Sequence, residues 1–172
     1  MSSRREDEFR AYVTARRPAL VRTATLLTAG DRHLAEDLVQ QALIRLYVAW
    51  PRLRRASGPD AYAYRILVNA LTDQTRRPAW RRERPTAELP ELEPVAGFAM
   101  EERDAVRRAL AALPDGMRAA VVLRHWLELD VAETAAALGC SKGNVKSQTA
   151  RGLERLRELL QVDAPIGSRE HS

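Results

Sequence analysis

Six side chains between positions 142 and 151 stand out: Lys142, Asn144, Lys146, Ser147, Gln148 and Arg151. These donors and acceptors can reach base edges in a DNA major groove, where large apolar side chains would obstruct approach. Gly143 and Ala150 keep the intervening positions small. A second concentration of charge is the basic run Arg76, Arg77, Arg81, Arg82 and Arg84, suited to a phosphate backbone. The net charge is +5, and 26 of the 28 cations are Arg (28 minus Lys142 and Lys146), the residue that grips phosphate bidentately. So much Arg also fits a GC-rich coding sequence, and composition alone does not separate the two.

Catalytic chemistry finds little support. There is no nucleophile elbow, no Gly-rich phosphate loop and no paired-histidine metal motif, and His33, His125 and His171 lie far apart. The single cysteine, Cys140, excludes an internal disulfide and a thiolate zinc cluster, and reads as a small packing residue. The expectation is a protein that is not an enzyme and has no cofactor or metal. No apolar run approaches the ~20 residues of a membrane span, and Met1 to Arg10 contain no apolar signal segment, so a cytoplasmic protein is expected.

These side chains need helices to position them. In the first part of the chain, Phe9, Tyr12, Val13, Leu20, Val21, Ala24 and Leu27 recur at helical spacing, with Pro18 expected to kink or divide the helix. A second helix is predicted from about Asp31 to Trp50, with Leu34, Leu38, Ala42, Leu46 and Ala49 inward, ending before Pro51. A third starts near Asp60 and buries Ile66, Leu67, Ala70 and Leu71. Pro85, Pro90 and Pro94 among acidic and small residues mark a linker. Beyond it, Val106, Ala109, Leu110 and Leu113 line a fourth helix from Met100, and Pro114 is placed to open the next at its first position, running to about Leu127.

Asp130 followed by Glu133 has the form of a capping box, Gly139 suits a left-handed helix stop, and Ser141 can cap the helix after it. That last helix buries Val145, Thr149, Leu153, Leu156 and Leu160, and turns Gly143, Ser147, Ala150 and Arg151 outward with Lys146 on the flank. Short helix, tight turn and longer basic helix make a helix-turn-helix. The same pattern also fits an ordinary helical hairpin with a solvated basic face. The fold class is therefore all-α, with two small helical domains joined by a flexible linker. The boundaries are 1–84, a linker at 85–99, a second domain at 100–162 and a disordered tail at 163–172.

The segments "AEDLVQQALIRLYVAWPRL", "YRILVNA" and "LPDGMRAAVVLRHWLELDVAETAAALGCSKGNVKSQTARGLERLREL" resemble regions 2 and 4 of bacterial RNA polymerase sigma factors of the extracytoplasmic-function (ECF) class, most closely its actinobacterial SigE-like group. The likeness covers about Phe9 to Leu160. It implies a transcription initiation factor that keeps only the second and fourth sigma domains, binds core RNA polymerase through the largest-subunit clamp helices and flap region, binds promoter DNA, and is commonly controlled by an anti-sigma factor.

Carried onto matching positions, it assigns polymerase docking to Asp37, Gln40, Gln41 and Arg45. Each of these is equally read as the wet face of an amphipathic helix. It assigns minus-ten strand capture to Arg54, Arg55, Tyr62, Tyr64, Arg65, Asn69, Arg76 and Arg77, although either tyrosine could instead belong to the core. It assigns minus-thirty-five readout to Lys142, Asn144, Lys146, Ser147, Gln148, Ala150 and Arg151.

The sequence departs from the family pattern in three places. The loop Ala56–Asp60 lacks the aromatics often found there, Asp130 stands where Ser is frequent, and Gln148 and Thr149 replace a more usual Arg and apolar residue. Two other functions compete. An operator-binding regulator would use the helix-turn-helix as a dimer but has no need of the "DLVQQA" helix. A helical adaptor that binds only protein would show no salt-sensitive DNA binding.

Overall fold

The computed structural model describes residues 2–53, 58–75 and 100–163, and everything described is helix or short connection, with no strand among these residues. The first domain is three helices, α1 (Ser2–Leu27), α2 (Arg32–Leu53) and α3 (Pro59–Thr75). The second comprises α4 (Met100–Ala111), α5 (Asp115–Val121), α6 (Val131–Leu138) and α7 (Lys142–Asp163). Arg54, Arg55, Arg76, Arg77, the proposed linker at 85–99 and the tail beyond Asp163 lie outside the described residues.

α1 and α2 form an antiparallel hairpin, turned by Ala29 (φ 57°) and Gly30 (φ 88°). Asp31 caps α2, accepting the Leu34 amide on Oδ1 at 3.0 Å. Two prolines behave differently from expectation. Pro18 neither ends nor divides α1, and Pro51 lies inside α2, which continues to Leu53. Pro51 cannot donate to the carbonyl of Tyr47 four residues back. The Arg5 guanidinium fills that vacancy, donating to the Tyr47 carbonyl at 3.2 Å from α1. A donor 42 residues away thus satisfies the carbonyl that Pro51 leaves without a partner.

The core of the first domain is Leu20, Ala24, Leu38, Val39, Ala42, Leu46, Trp50, Ala63, Ile66 and Leu67, and the buried side chains of the second domain continue the same cluster. Leu34, Leu71, Leu153 and Leu160, expected inside, are half-buried at its edge. Val106 departs further: it is 41% exposed, because α4 buries only Ala109 and Leu110.

In the second domain Pro114 precedes α5 as its N-cap, one position before the expected first turn, and its carbonyl accepts the Arg118 amide at 3.0 Å. The final stretch of that segment, Val122–Trp126, is π-helical. The caps follow the sequence closely. Glu133 N–H donates to Asp130 Oδ1 at 2.7 Å and Asp130 N–H to Glu133 Oε2 at 2.8 Å, completing the capping box. Gly139 stops α6 at φ 66°, and Ser141 Oγ accepts the Asn144 amide at 3.1 Å to start α7.

Gly152, in the middle of α7, is required by close packing. A Cβ there would lie 2.6 Å from Val121 Cγ2 and 3.3 Å from the Met117 carbonyl. α5 and α7 therefore meet nearly backbone to backbone.

Candidate nucleic-acid interface

α7 sorts its residues sharply. Val145, Thr149, Gly152 and Leu156 face the core, and the Thr149 hydroxyl is satisfied by the Val145 carbonyl at 2.7 Å. On the opposite side Lys146, Ala150 and Arg151 are exposed, with Ser147 half-buried among them, Asn144 exposed beside Arg151, and Lys142 exposed at the helix start on the same side as Thr149. At 100° per residue, Gly143, Ser147, Ala150 and Arg151 hold the centre of this face and Lys146 one flank. The carboxylate-free first turn of α7 leaves its N-terminal dipole open to an anion.

Gln148 is placed differently from its neighbours. It is half-buried, with its amide nitrogen 3.6 Å from where a Cβ on Gly116 would be. It lines a cleft between the two domains together with Val68, Leu71 and Thr72 of α3, Asp115 and Ala119 of α5, and Asn144.

On α3, Arg65 and Asn69 are exposed one turn apart, and Tyr62 flanks them on the same face, half-buried. Tyr64 turns away toward α1. Its hydroxyl pKa is raised by burial first and by the nearby Asp60 charge second, and lowered by the Thr23 hydroxyl, Arg16 and Arg22. The structure therefore brings Tyr62, Arg65 and Asn69 onto one surface and seats Tyr64 apart from them. Asp60, in the first turn of α3, is held from α1: Tyr12 Oη donates to Oδ1 at 2.7 Å and Arg16 pairs with Oδ2 at 3.1 Å.

On α2, Asp37, Gln40, Gln41 and Arg45 all lie on the exposed face. Two apolar residues missing from the sequence reading share it: Ile44, 60% exposed, and Val48, 71% exposed. They border a groove between α1 and α2 with Phe9, Val13, Leu43 and Tyr47, rimmed by the Arg17–Glu36 ion pair. Their four-residue spacing off the buried Leu38–Ala42–Leu46–Ala49 stripe was the available signal.

The sequence reading also missed Arg118. It is 5% exposed, and its guanidinium donates to the carbonyls of Leu110 (2.9 Å), Ala111 (3.1 Å) and Leu113 (2.6 Å) at the end of α4, and to Asp115 Oδ1 (3.0 Å). It also donates across the domain boundary to the Leu27 carbonyl at the end of α1, at 3.3 Å. One buried cation thus satisfies the carbonyl ends of two helices.

Among the described residues no cluster of His, Cys, Asp and Glu could hold a metal ion, and no helix is long and apolar enough to cross a membrane.

Comparison with known proteins follows the same two-part division. Residues 4–82 match the family description "Sigma-70 region 2", and residues 103–156 match "Sigma-70, region 4". The chain is 41% identical to the RNA polymerase sigma-E factor of Streptomyces coelicolor, covering 95% of this chain and 93% of that protein. It is 37% identical to the ECF RNA polymerase sigma factor SigM of Mycobacterium tuberculosis, covering 78% of this chain and 68% of that one. Among solved structures, it is similar to the sigma factor RpoE in complex with the anti-sigma factor NepR from Bartonella quintana, with a TM-score of 0.72 and 28% identity, over 91% of this chain and 98% of that chain. CnrH, solved in complex with the cytosolic domain of CnrY, shares the fold at a TM-score of 0.62 and 24% identity, over 92% of this chain and 91% of that chain.

Proposed function

Because this chain belongs to the ECF class of RNA polymerase sigma factors and directs transcription initiation at promoters, we propose that its two domains divide the promoter between them. The first domain, within residues 1–84, holds core polymerase and captures the opened minus-ten strand. The second, within 100–162, reads the minus-thirty-five duplex. The observation that carries this reading is the pair of unlike exposed faces on α3 and α7. Tyr62, Arg65 and Asn69 combine a ring for base stacking, a cation and an amide, as single-strand capture requires. Asn144, Lys146, Ser147, Ala150 and Arg151 are small or hydrogen-bonding on a capped helix, as major-groove entry requires. Gln148 supports the second set only after it leaves the cleft beside Gly116. Arg54, Arg55, Arg76 and Arg77 join the first set as phosphate contacts.

Polymerase docking falls to the exposed face of α2, where Asp37, Gln40, Gln41 and Arg45 surround Ile44 and Val48. A polar rim around a small apolar centre is the make-up of a protein interface. The protein acts in the cytoplasm as a non-catalytic factor: the chemistry of RNA synthesis belongs to the polymerase, and this chain supplies position and strand capture. An anti-sigma factor is a further partner, by analogy with the complex of RpoE with the anti-sigma factor NepR.

The closed arrangement has a consequence for this division. Elements centred at minus ten and minus thirty-five are 25 base pairs apart, about 85 Å at ~3.4 Å per pair. α3 and α7 line a single cleft. Reading both elements at once requires the two domains to separate.

In vitro transcription tests the reading. Purified actinobacterial core polymerase is incubated with this protein on a genomic fragment library, and transcript 5′ ends are sequenced. New starts sharing two spaced upstream motifs are expected. Binding to duplex DNA without any core-dependent start would instead favour an operator-binding regulator.

A further inference from the structure

Nothing in the division of roles above uses α1, yet α1 makes a specific set of contacts around the start of α3. We propose that Asp60, held by Tyr12 and Arg16 of α1, is a positioning residue that fixes the rotation of α3 and so presents its strand-capturing face. The inference rests on the reading that α3 captures the minus-ten strand.

Both carboxylate oxygens of Asp60 are engaged from α1, Oδ1 by the Tyr12 hydroxyl at 2.7 Å and Oδ2 by Arg16 at 3.1 Å. The two grips differ in quality. Arg16 and Asp60 are largely solvated at that pair, so their ion pair alone is weak. The Tyr12 bond is the stronger one, a phenol donating to a carboxylate from a half-buried position. Burial and then Asp60 itself push the Tyr12 hydroxyl well above the usual tyrosine range, so it stays protonated and able to donate.

Tyr12 is itself fixed. Its ring lies 5.1 Å from that of Trp50, and Phe9 packs edge-on against Trp50 at 5.2 Å and Tyr47 at 5.0 Å. α1 thereby grips the last turns of α2 and the first turn of α3 from one aromatic cluster. Rotation of α3 decides which tyrosine sits beside Arg65 and Asn69, since successive residues differ by 100° and Tyr62 and Tyr64 lie on different sides. In the observed rotation Tyr64 packs toward Asp60 and Arg16, while Arg65 and Asn69 are exposed with the half-buried Tyr62 beside them at the edge of the core. An acidic residue serving only the dipole of α3 would need neither Tyr12 nor Arg16.

The test uses holoenzyme assembled from core polymerase and the full chain, on a promoter found by start-site mapping. Opening is read by permanganate reactivity of minus-ten thymines, and minus-thirty-five discrimination by matched against mismatched templates. Tyr12→Phe is expected to lower opening roughly tenfold, the loss of one hydrogen bond to a charged group, and Asp60→Ala at least as much, since it also removes the Arg16 pair. The double variant is expected to be no worse than Asp60→Ala. Asp60→Glu should recover part of the loss, and minus-thirty-five discrimination should be unchanged in all four. If Asp60→Ala fails to fold, as judged by its melting curve, Tyr12→Phe carries the test alone, because it removes a single oxygen. Normal opening by Tyr12→Phe, or equal loss at both elements, would overturn the clamp while leaving the sigma-factor reading intact. A wild-type holoenzyme that selects no promoter would overturn the reading beneath it.

Discussion

The two reading helices are held in place by different kinds of contact. The start of α7 is set by its immediate neighbours in sequence, the Asp130–Glu133 box, Gly139 at positive φ and the Ser141 cap all lying within twelve residues of it, while its middle packs on α5 at Gly152. α3 is set from a distance, its Asp60 gripped by Tyr12 48 residues earlier. The helix before it extends past Pro51 with the help of Arg5. The contrast matches the tasks proposed for them. A groove-reading helix can be a preformed rod, whereas a strand-capturing face must be oriented against the rest of its domain.

Arg118→Ala should produce the largest effect, since it removes the long-range tie of the second domain. It leaves the carbonyls of Leu27, Leu110, Ala111 and Leu113 without their charged donor. A destabilisation of about 3 kcal/mol or more is expected in urea unfolding, given ~1–3 kcal/mol per buried unsatisfied group. A change under 1 kcal/mol would show that the helix-turn-helix is self-sufficient, which would sharpen the contrast with α3.

Gly152→Ala comes next. The added methyl meets Val121 and the Met117 carbonyl, and overpacking of this kind costs ~1–3 kcal/mol. Thermal melting would register it, and an unchanged midpoint would mean that α5 and α7 can move apart freely.

The paired substitution Ile44→Ser and Val48→Ser probes the first domain without touching its core. Both residues are exposed, so the melting temperature should hold. Affinity for core polymerase, measured by fluorescence anisotropy, should fall roughly tenfold, as expected for truncating apolar residues central to an interface. Unaltered affinity would remove these two residues from the docking face.

Asp130→Ala should be the mildest, at ~1 kcal/mol for a lost N-cap. Amide exchange of Val131–Glu133 is the direct readout, and protection equal to wild type would show that the box does not hold α6.

The pattern of legibility follows from the same physics. Capping boxes, glycine stops and apolar stripes are read within one or two turns, so α6, the turn and α7 were visible in the sequence, as were the outward-facing Asp37, Gln40, Gln41, Arg65, Asn69 and Arg151. Less legible were the features that depend on a distant partner. Pro51 looked like a helix end because its compensating donor, Arg5, is far away in sequence. Gln148 has the amide of a base reader, and only the packing of α7 beside Gly116 and α3 shows that it lines the cleft. Arg118 is buried, and nothing local in the sequence marks it as such. Tyr62 and Tyr64 were indistinguishable until the rotation of α3 was fixed by α1.

The division of labour is tested most directly by one crossed measurement. Holoenzymes carrying Asn69→Ala or Arg151→Ala are assayed on four templates, with each promoter element either intact or mismatched. The account predicts that Arg151→Ala abolishes the preference for an intact minus-thirty-five element while keeping that for the minus-ten. It predicts the reverse for Asn69→Ala. If both variants weakened transcription equally on all four templates, the two helices would not be reading separate elements, and the central claim would be contradicted.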